Sequence, residues 1–490
     1  METTGIGQLP DEVLELILSF VCPYRDYPSC SLVCSLWNRL IAGVSRRANK
    51  TFHACLRRGS VRWECFQKAP GPLISERYSH SAVYSNGSLY VFGGCTASNT
   101  TFNDLWKLDL SSKQWMRPMA SGNYPSPKAC ASMNVWRNLL VVFGGWSQPT
   151  PFPLHQAAQF FDQLHLYDTD LNIWTAVNSD PWPPPVAGHA ACMMSDSLVV
   201  FGGSRQHGTS SDALWVLDMP TQSWRELTVG SDRRPLPRYG ASLCSTNSNQ
   251  AVLLGGCGGP NMKFTDCWLL NINRNIAMWT ELVVENTENS CPPPLWCHPV
   301  CKVGDFLVVL SKTSLPVQPE VLRRISERRS YQNLSEDLTS RVNYSSSSSD
   351  DEDVRSRSNI SVGSLARNHQ QRRQKQLEML EKFERRLRSH QSQRDKEPEK
   401  ETLLKQPMFL HSLDISTAID GCVSWNVSNL VDVYGEVAEE TFFYTLTEGK
   451  EELILFGGVH PGIEQGVHRA PSSSLQALNT SLFSIHGHLV

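Results

Sequence analysis

The 490-residue chain has no run of eighteen apolar residues, so no membrane-spanning helix is predicted. Its N-terminus has no basic stretch leading into an apolar core, and no secretory leader is expected. Fifteen cysteines, an odd number scattered without a regular framework, point to reduced thiols and a cytoplasmic or nuclear location. Neither sign of charge dominates, with 45 Lys and Arg against 48 Asp and Glu. Nucleic acid and membrane are not expected as partners. No nucleophile elbow is present, and the Gly255–Gly259 run lacks the Lys and helix of a phosphate loop. No cofactor and no metal are expected, and the chain is read as non-catalytic.

What is present is a phrase written five times, apolar residues followed by Gly-Gly. It ends at Gly94, Gly145, Gly203, Gly256 and Gly458, and the first four copies are spaced 51, 58 and 53 residues apart. A Trp follows each of those four some two dozen residues on, at Trp115, Trp174, Trp224 and Trp279. A period near fifty with this content predicts a kelch β-propeller in which each repeat is one four-stranded blade. In the first repeat, Asn86-Gly87 supplies a hairpin turn between 77–84 and the apolar run 89–94. An alternating strand at 104–109 and a last strand around Trp115 complete it. Gly-Gly allows close backbone approach or positive φ, and the Trp seals one blade against the next.

Two repeats are worn. The fifth has Ser311-Lys312 where Gly-Gly belongs, and resumes at Leu410–Asp414 with Trp425; the last ends before any Trp. The unclaimed Trp63 near the front is expected to close the ring as its sixth Trp, giving six blades and no free sheet edge. Residues 315–405 interrupt the fifth blade. They hold 19 basic and 15 acidic residues, leaving the remainder at 26 and 33, a net of −7. The Ser345–Asp353 tract predicts disorder or a target for an acid-directed kinase. Leu377, Leu380, Phe383 and Leu387 recur at helical spacing in a basic stretch.

Ahead of the repeats, Pro10, Asp11 and Glu12 suit a helix start, and Val13, Leu14, Ile17 and Leu18 form an apolar stripe. A second helical pattern runs from Leu32 to Leu40. About forty residues make a poor core alone, so a partner surface is plausible. Leu9-Pro10, Ile17-Leu18-Ser19 and Val33-Cys34 with Trp37 and Leu40 resemble the F-box, and with the repeats the chain resembles the F-box/kelch family. The fold expected is mainly β, a six-bladed kelch propeller preceded by a small α-helical F-box domain, with a largely disordered insertion in blade five. The divisions are F-box 1–50, linker 51–60, propeller 61–314 and 406–490, and insertion 315–405.

The resemblance implies a substrate receptor of an SCF-type E3 ubiquitin ligase. Leu9, Pro10, Ile17 and Leu18 would face the Skp adaptor, which joins a cullin scaffold and a RING subunit; Val33, Trp37 and Leu40 would serve the packing and rim of the hairpin. The propeller would hold an unidentified protein substrate. Arg77, Lys128, Arg238 and Trp296 are expected to ring the channel mouth, and Trp146, His155, Arg205, His207, Asn261 and Lys263 to lie in loops above it, where basic groups could take a phosphate or acidic segment. A ligase-independent kelch scaffold and a kelch metalloenzyme are the alternatives. His80, His189 and His298, 109 residues apart, invite a metal, but local hydrogen bonding accounts for such a repeated His. Cys291, Cys297, His298 and Cys301 are set aside as a zinc set, because Cys301 aligns with Cys130, Cys192 and Cys244 as a small buried position.

Overall fold

The computed structural model describes residues 6, 9–58, 60–65, 71–96, 100–148, 158–259, 262–285, 294–312, 408–427, 433–435, 440–459 and 475–479. The insertion 315–405 lies outside them.

Three helices come first, α1 (Asp11–Ser19), α2 (Asp26–Ser31) and α3 (Ser35–Arg58). Pro10 precedes α1 at φ −54°, and Asp11 and Glu12 sit in its first turn, where the helix dipole favours acids. Leu14 and Leu18 turn inward against Tyr27, Leu40, Ile41 and Val44, with Leu9, Leu36 and Trp37 at the edge of this small core. The predicted hairpin thus gains a middle helix, because Pro28 falls in the first turn of α2, where a missing N–H is tolerated.

Residues 51–60, read as a linker, are instead mostly helix, since α3 continues to Arg58. Leu40, Val44, Ala48, Phe52 and Leu56 recur at every fourth position, and such a stripe drifts about 40° per step around the axis. Its first end packs inside the helical core. Its far end inserts Phe52 and Leu56, both fully buried, among Val61, Trp63, Phe306, Leu310 and Tyr444 of the sheets. One helix therefore belongs to two cores.

Five blades are built from consecutive strands. Blade one comprises Ser81–Ser85, Ser88–Phe92, Leu105–Asp109 and Gln114–Met116; blades two to five lie within 121–177, 190–226, 228–281 and 283–427. A further sheet closes the ring, in the order Val433–Gly435, Val61–Cys65, Leu475–Asn479, Glu452–Phe456, Thr445–Glu448. Trp63 pairs there antiparallel with Leu478 and parallel with Gly435. In blade five, Phe306–Ser311 pairs antiparallel with Phe409–Asp414, so the chain re-enters the sheet it left. The first strands of the sheets neighbour one another in sequence order, and Thr445–Glu448 returns to Ser81–Ser85.

The Trp seals run around this ring. Trp174 packs on Phe92 of the preceding blade, Trp224 on Phe143, Trp279 on Phe201, and Trp115 on Phe456 of the closing sheet, with ring centroids 4.8–5.5 Å apart. Trp425 and Trp63 enter the hydrophobic cores shared with the preceding blades. The Gly-Gly phrase has a steric cause. At Gly144 (φ +68°) a Cβ would lie 2.6 Å from Val186 O and 2.8 Å from the His189 ring of the next blade. Where blade five has Ser311, the following strand carries Tyr444 in place of that His, and its hydroxyl donates to Leu310 O at 2.5 Å.

The helical module is fixed to the hairpin turns joining first and second strands. Tyr24 Oη donates to Glu452 Oε1 (2.5 Å) and accepts from Lys450 N (2.7 Å), while Lys450 Nζ donates to Pro23 O. At Gly304 (φ +58°) a Cβ would meet the His53 ring of α3 at 2.8 Å. Two carboxyls in these turns carry a cost. Burial pushes Glu448 and Glu451 up to about 7, against the opposing charges of Lys302 and Lys450. Glu451 Oε1 is buried without a hydrogen-bond partner among the described residues. An unfolded Glu titrates near 4.5, so between there and pH 7 the folded state binds more protons and stability falls as pH rises. Glu451→Gln is expected to raise stability at pH 8 by about 1 kcal/mol, allowing for partial solvent screening, a shift of a few degrees in the melting midpoint. At pH 4.5 the gain should vanish; an equal gain at both pH values in a melting series removes the carboxyl as its cause.

Candidate functional site

Two surfaces stand out, at opposite ends of the first strands. The first is the outer side of α1. Val13, Leu16, Ile17 and Phe20 are exposed at i, i+3, i+4 and i+7, while Leu14 and Leu18 between them are buried. The helix is apolar on two sides, and the tertiary structure uses one. Leu32 and Val33, at the corner before α3, are also exposed. Of the residues expected to face an adaptor, Pro10 and Ile17 are exposed and Leu9 is half-buried. Leu18 is corrected: at 2% exposure it is part of the core and cannot touch a partner. Val33 is open instead of packed. Leu16 and Phe20 were missed, although the same helical spacing would have found them.

The second surface is the mouth, where the chain enters the first strands. Arg77, Lys128 and Arg238 do not ring it. All three are buried. Arg77 makes two hydrogen bonds to the Asp104 carboxylate (2.7 and 3.0 Å), donates to Gly93 O and lies 4.3 Å from the Phe102 centroid. Arg238 repeats the arrangement with Asp266 (2.6 and 2.8 Å), Gly255 O and Phe264. Burial pushes Asp104 up, but the bonds and charge of Arg77 outweigh it and hold the carboxyl below its usual range. Lys128 donates to Gln163 Oε1 over the Phe161 ring, and burial lowers its pKa to about 7. These cations fasten the entry of one strand to the start of the third strand of the same blade.

The side chains that reach the mouth come one or two positions later. Ser79, Cys130, Gly188, Gly240, Cys297 and Phe443 have φ between 52° and 64°. Their backbones form a belt: Ser79 N donates to Phe443 O, Cys130 N to Ser79 O, Gly188 N to Cys130 O, Gly240 N to Gly188 O and Cys297 N to Gly240 O. Along one side of it runs an arc of half-buried rings. Tyr78 meets Phe443 (6.0 Å between centroids), Phe443 meets Trp296 (5.6 Å) and Trp296 meets Tyr239 (6.2 Å). Across the axis the equivalent positions hold Ala129, Cys130, Ala187 and Gly188. Trp296 is thus the one expected mouth residue that lies there; Tyr78, Tyr239 and Phe443 were missed because the register was read one residue early.

The loop residues divide. Trp146 is half-buried and paired with Phe160 in a short hairpin. Arg205 is half-buried, its Nη2 donating to Ser211 Oγ (2.9 Å). His207 lies in a single 3-10 turn, Gln206–Gly208. Lys263 is exposed, its Nζ 6.0 Å from the Trp296 centroid. His155 and Asn261 lie outside the described residues. The three spaced histidines each make a local hydrogen bond: His80 Nε2 with Thr445 Oγ1 (2.9 Å), His189 Nε2 with Ser132 Oγ (2.8 Å), and His298 Nδ1 accepting from Trp296 N, while Nδ1 of His80 and of His189 has no partner among the described residues. Burial lowers their pKa values to about 3, 4 and 4. Among the described residues no group of His, Cys, Asp and Glu has metal-binding geometry.

Comparison with known proteins agrees with this two-part layout. A family model described as F-box-like matches residues 6–46, and one described as FBX42, beta-propeller domain, matches residues 77–279. Acyl-CoA-binding domain-containing protein 4 of Arabidopsis thaliana is 30% identical over 42% of this chain and 30% of its own length. Human Kelch domain-containing protein 3 is 25% identical over 49% of this chain and 61% of its own. Mouse Multiple epidermal growth factor-like domains protein 8 is 30% identical over 49% of the chain but only 9% of its own length. The chain therefore spans less than two thirds of these relatives. The chain carries an F-box-like helical region followed by a kelch-type β-propeller, and resembles the F-box/kelch protein F-box only protein 42.

Proposed function

We propose that this protein is the substrate-recognition subunit of an SCF-type ubiquitin ligase. The observation that carries the reading is the second apolar side of α1. Val13, Leu16, Ile17 and Phe20 are exposed on a helix whose other side already fills its own core, within the F-box-like match. An exposed stripe of four large apolar side chains is characteristic of a partner surface, and in F-box proteins that partner is a Skp adaptor, through which a cullin scaffold and a RING subunit are reached. We read the closing sheet as the sixth blade of the propeller. The mouth is then the substrate face, at the end of the ring away from the helices, and α3 sets the relation between the two. The protein breaks no bond itself; it raises the effective concentration of substrate lysines beside a charged conjugating enzyme. Work in the cytoplasm or nucleus is the natural setting.

Replacing Ile17 and Phe20 together by Asp is expected to reduce adaptor binding about 100-fold or more, since two desolvated apolar anchors are lost. Both are exposed, so the melting midpoint should move little. Undiminished co-purification of the adaptor with a folded double variant contradicts the proposal.

A further inference from the structure

We infer that the mouth takes a protein segment bearing a carboxylate side chain a few residues from a large apolar or aromatic one. This rests on the receptor reading and adds the chemistry of what is received. The apolar half of the argument is the asymmetry of the mouth. Rings line one side, at Tyr78, Phe443, Trp296 and Tyr239, and the small, half-buried Cys130 and Gly188 stand opposite, next to the buried Ala129 and Ala187. A partner side chain placed over the small residues gains ring contacts from the other side.

The charged half is what borders that arc. Lys263 and Arg205 stand on neighbouring loops, joined by the Ser210 Oγ hydrogen bond to Gly258 O. Nearby cations are already matched, Arg234 with Asp212 and Arg233 with Glu281. Lys263 and Arg205 have no ion-pair partner among the described residues, and Arg205 Nε is buried without an acceptor. A carboxylate brought by the partner gives the exposed Lys263 ammonium an acceptor beside Trp296.

The test selects random twelve-residue peptides displayed on phage, which carry no phosphate, against the full chain. Enriched sequences should place Asp or Glu within roughly four residues, about 13 Å of extended chain, of Trp, Phe, Tyr or Leu. Their affinity should fall at least about tenfold in Lys263→Glu, an exposed position that leaves folding alone. Lys263→Glu with Arg205→Glu should select Lys- or Arg-bearing peptides instead, a reversal that structural damage does not produce. Trp296→Ala should lose the peptides and Trp296→Phe retain most of them. Enriched peptides without acids, unchanged binding in Lys263→Glu, or no enrichment at all each overturn the inference. None of these outcomes involves the adaptor, whose binding the Ile17 and Phe20 variant reads separately.

Discussion

Asp266→Ala is expected to cost about 3–5 kcal/mol, because it strands a buried guanidinium. The Arg238 side chain has no solvent exposure and takes both oxygens of Asp266, which also accepts from Trp268 Nε1. Removing the carboxylate leaves a buried guanidinium without its charge partner, with water able to enter only from the side where Asp266 is 23% exposed. The blades supply their own control. Gly93, Gly144, Gly202 and Gly255 N donate to Asp104, Gln163, Ala213 and Asp266 O, which marks these residues as equivalent. Their strand-entry partners are Arg77, Lys128, Val186 and Arg238. Blade three thus replaces cation and acceptor together with Val186 and Ala213, and keeps the fold. The double variant Arg238→Met, Asp266→Leu should accordingly recover most of the loss. Urea unfolding of the three proteins decides it: a single variant within about 1 kcal/mol of wild type means the pair is not the fastener described here.

Phe52→Ala should cost a similar amount, about 3–5 kcal/mol, by opening a cavity where α3 enters the sheets. Phe52 is fully buried and lies outside the helical core, with Leu56 among Phe306, Leu310 and Tyr444. The effect should be uneven. Amides of 50–58 are expected to exchange with deuterium much faster than in wild type, while the Trp-sealed blades keep their protection. Uniform loss of protection instead means that this helix end has no distinct role at the junction.

The blade grammar was readable because each device has a local signature: Gly-Gly for close approach, Asn-Gly for the hairpin, Trp at a fixed offset. Trp63 was assignable by counting, since a ring leaves one blade short of a seal. The mouth was less legible. Basic residues at three strand entries, Arg77, Lys128 and Arg238, look like a charged rim, and nothing in one blade says that Asp104 or Asp266, more than two dozen residues later, will bury two of them. The belt of positive φ at Ser79 and its equivalents shifts which side chains reach the mouth, and at Ser79, Cys130, Cys297 and Phe443 it uses residues other than Gly. The junction was hidden for a different reason. Leu40, Val44, Phe52 and Leu56 keep helical spacing into the supposed linker, but nothing in that spacing says that the last turns enter the sheets.

In the proposed ligase subunit the outer stripe of α1 meets the adaptor, and the mouth is a separate surface. Deuterium exchange of the full chain with and without a Skp adaptor tests it most directly. Protection is predicted over 11–20 and around Leu32 and Val33, with the amides of Tyr78, Tyr239 and Trp296 unchanged. Protection at the mouth, or none along α1 in a saturated complex, would contradict it.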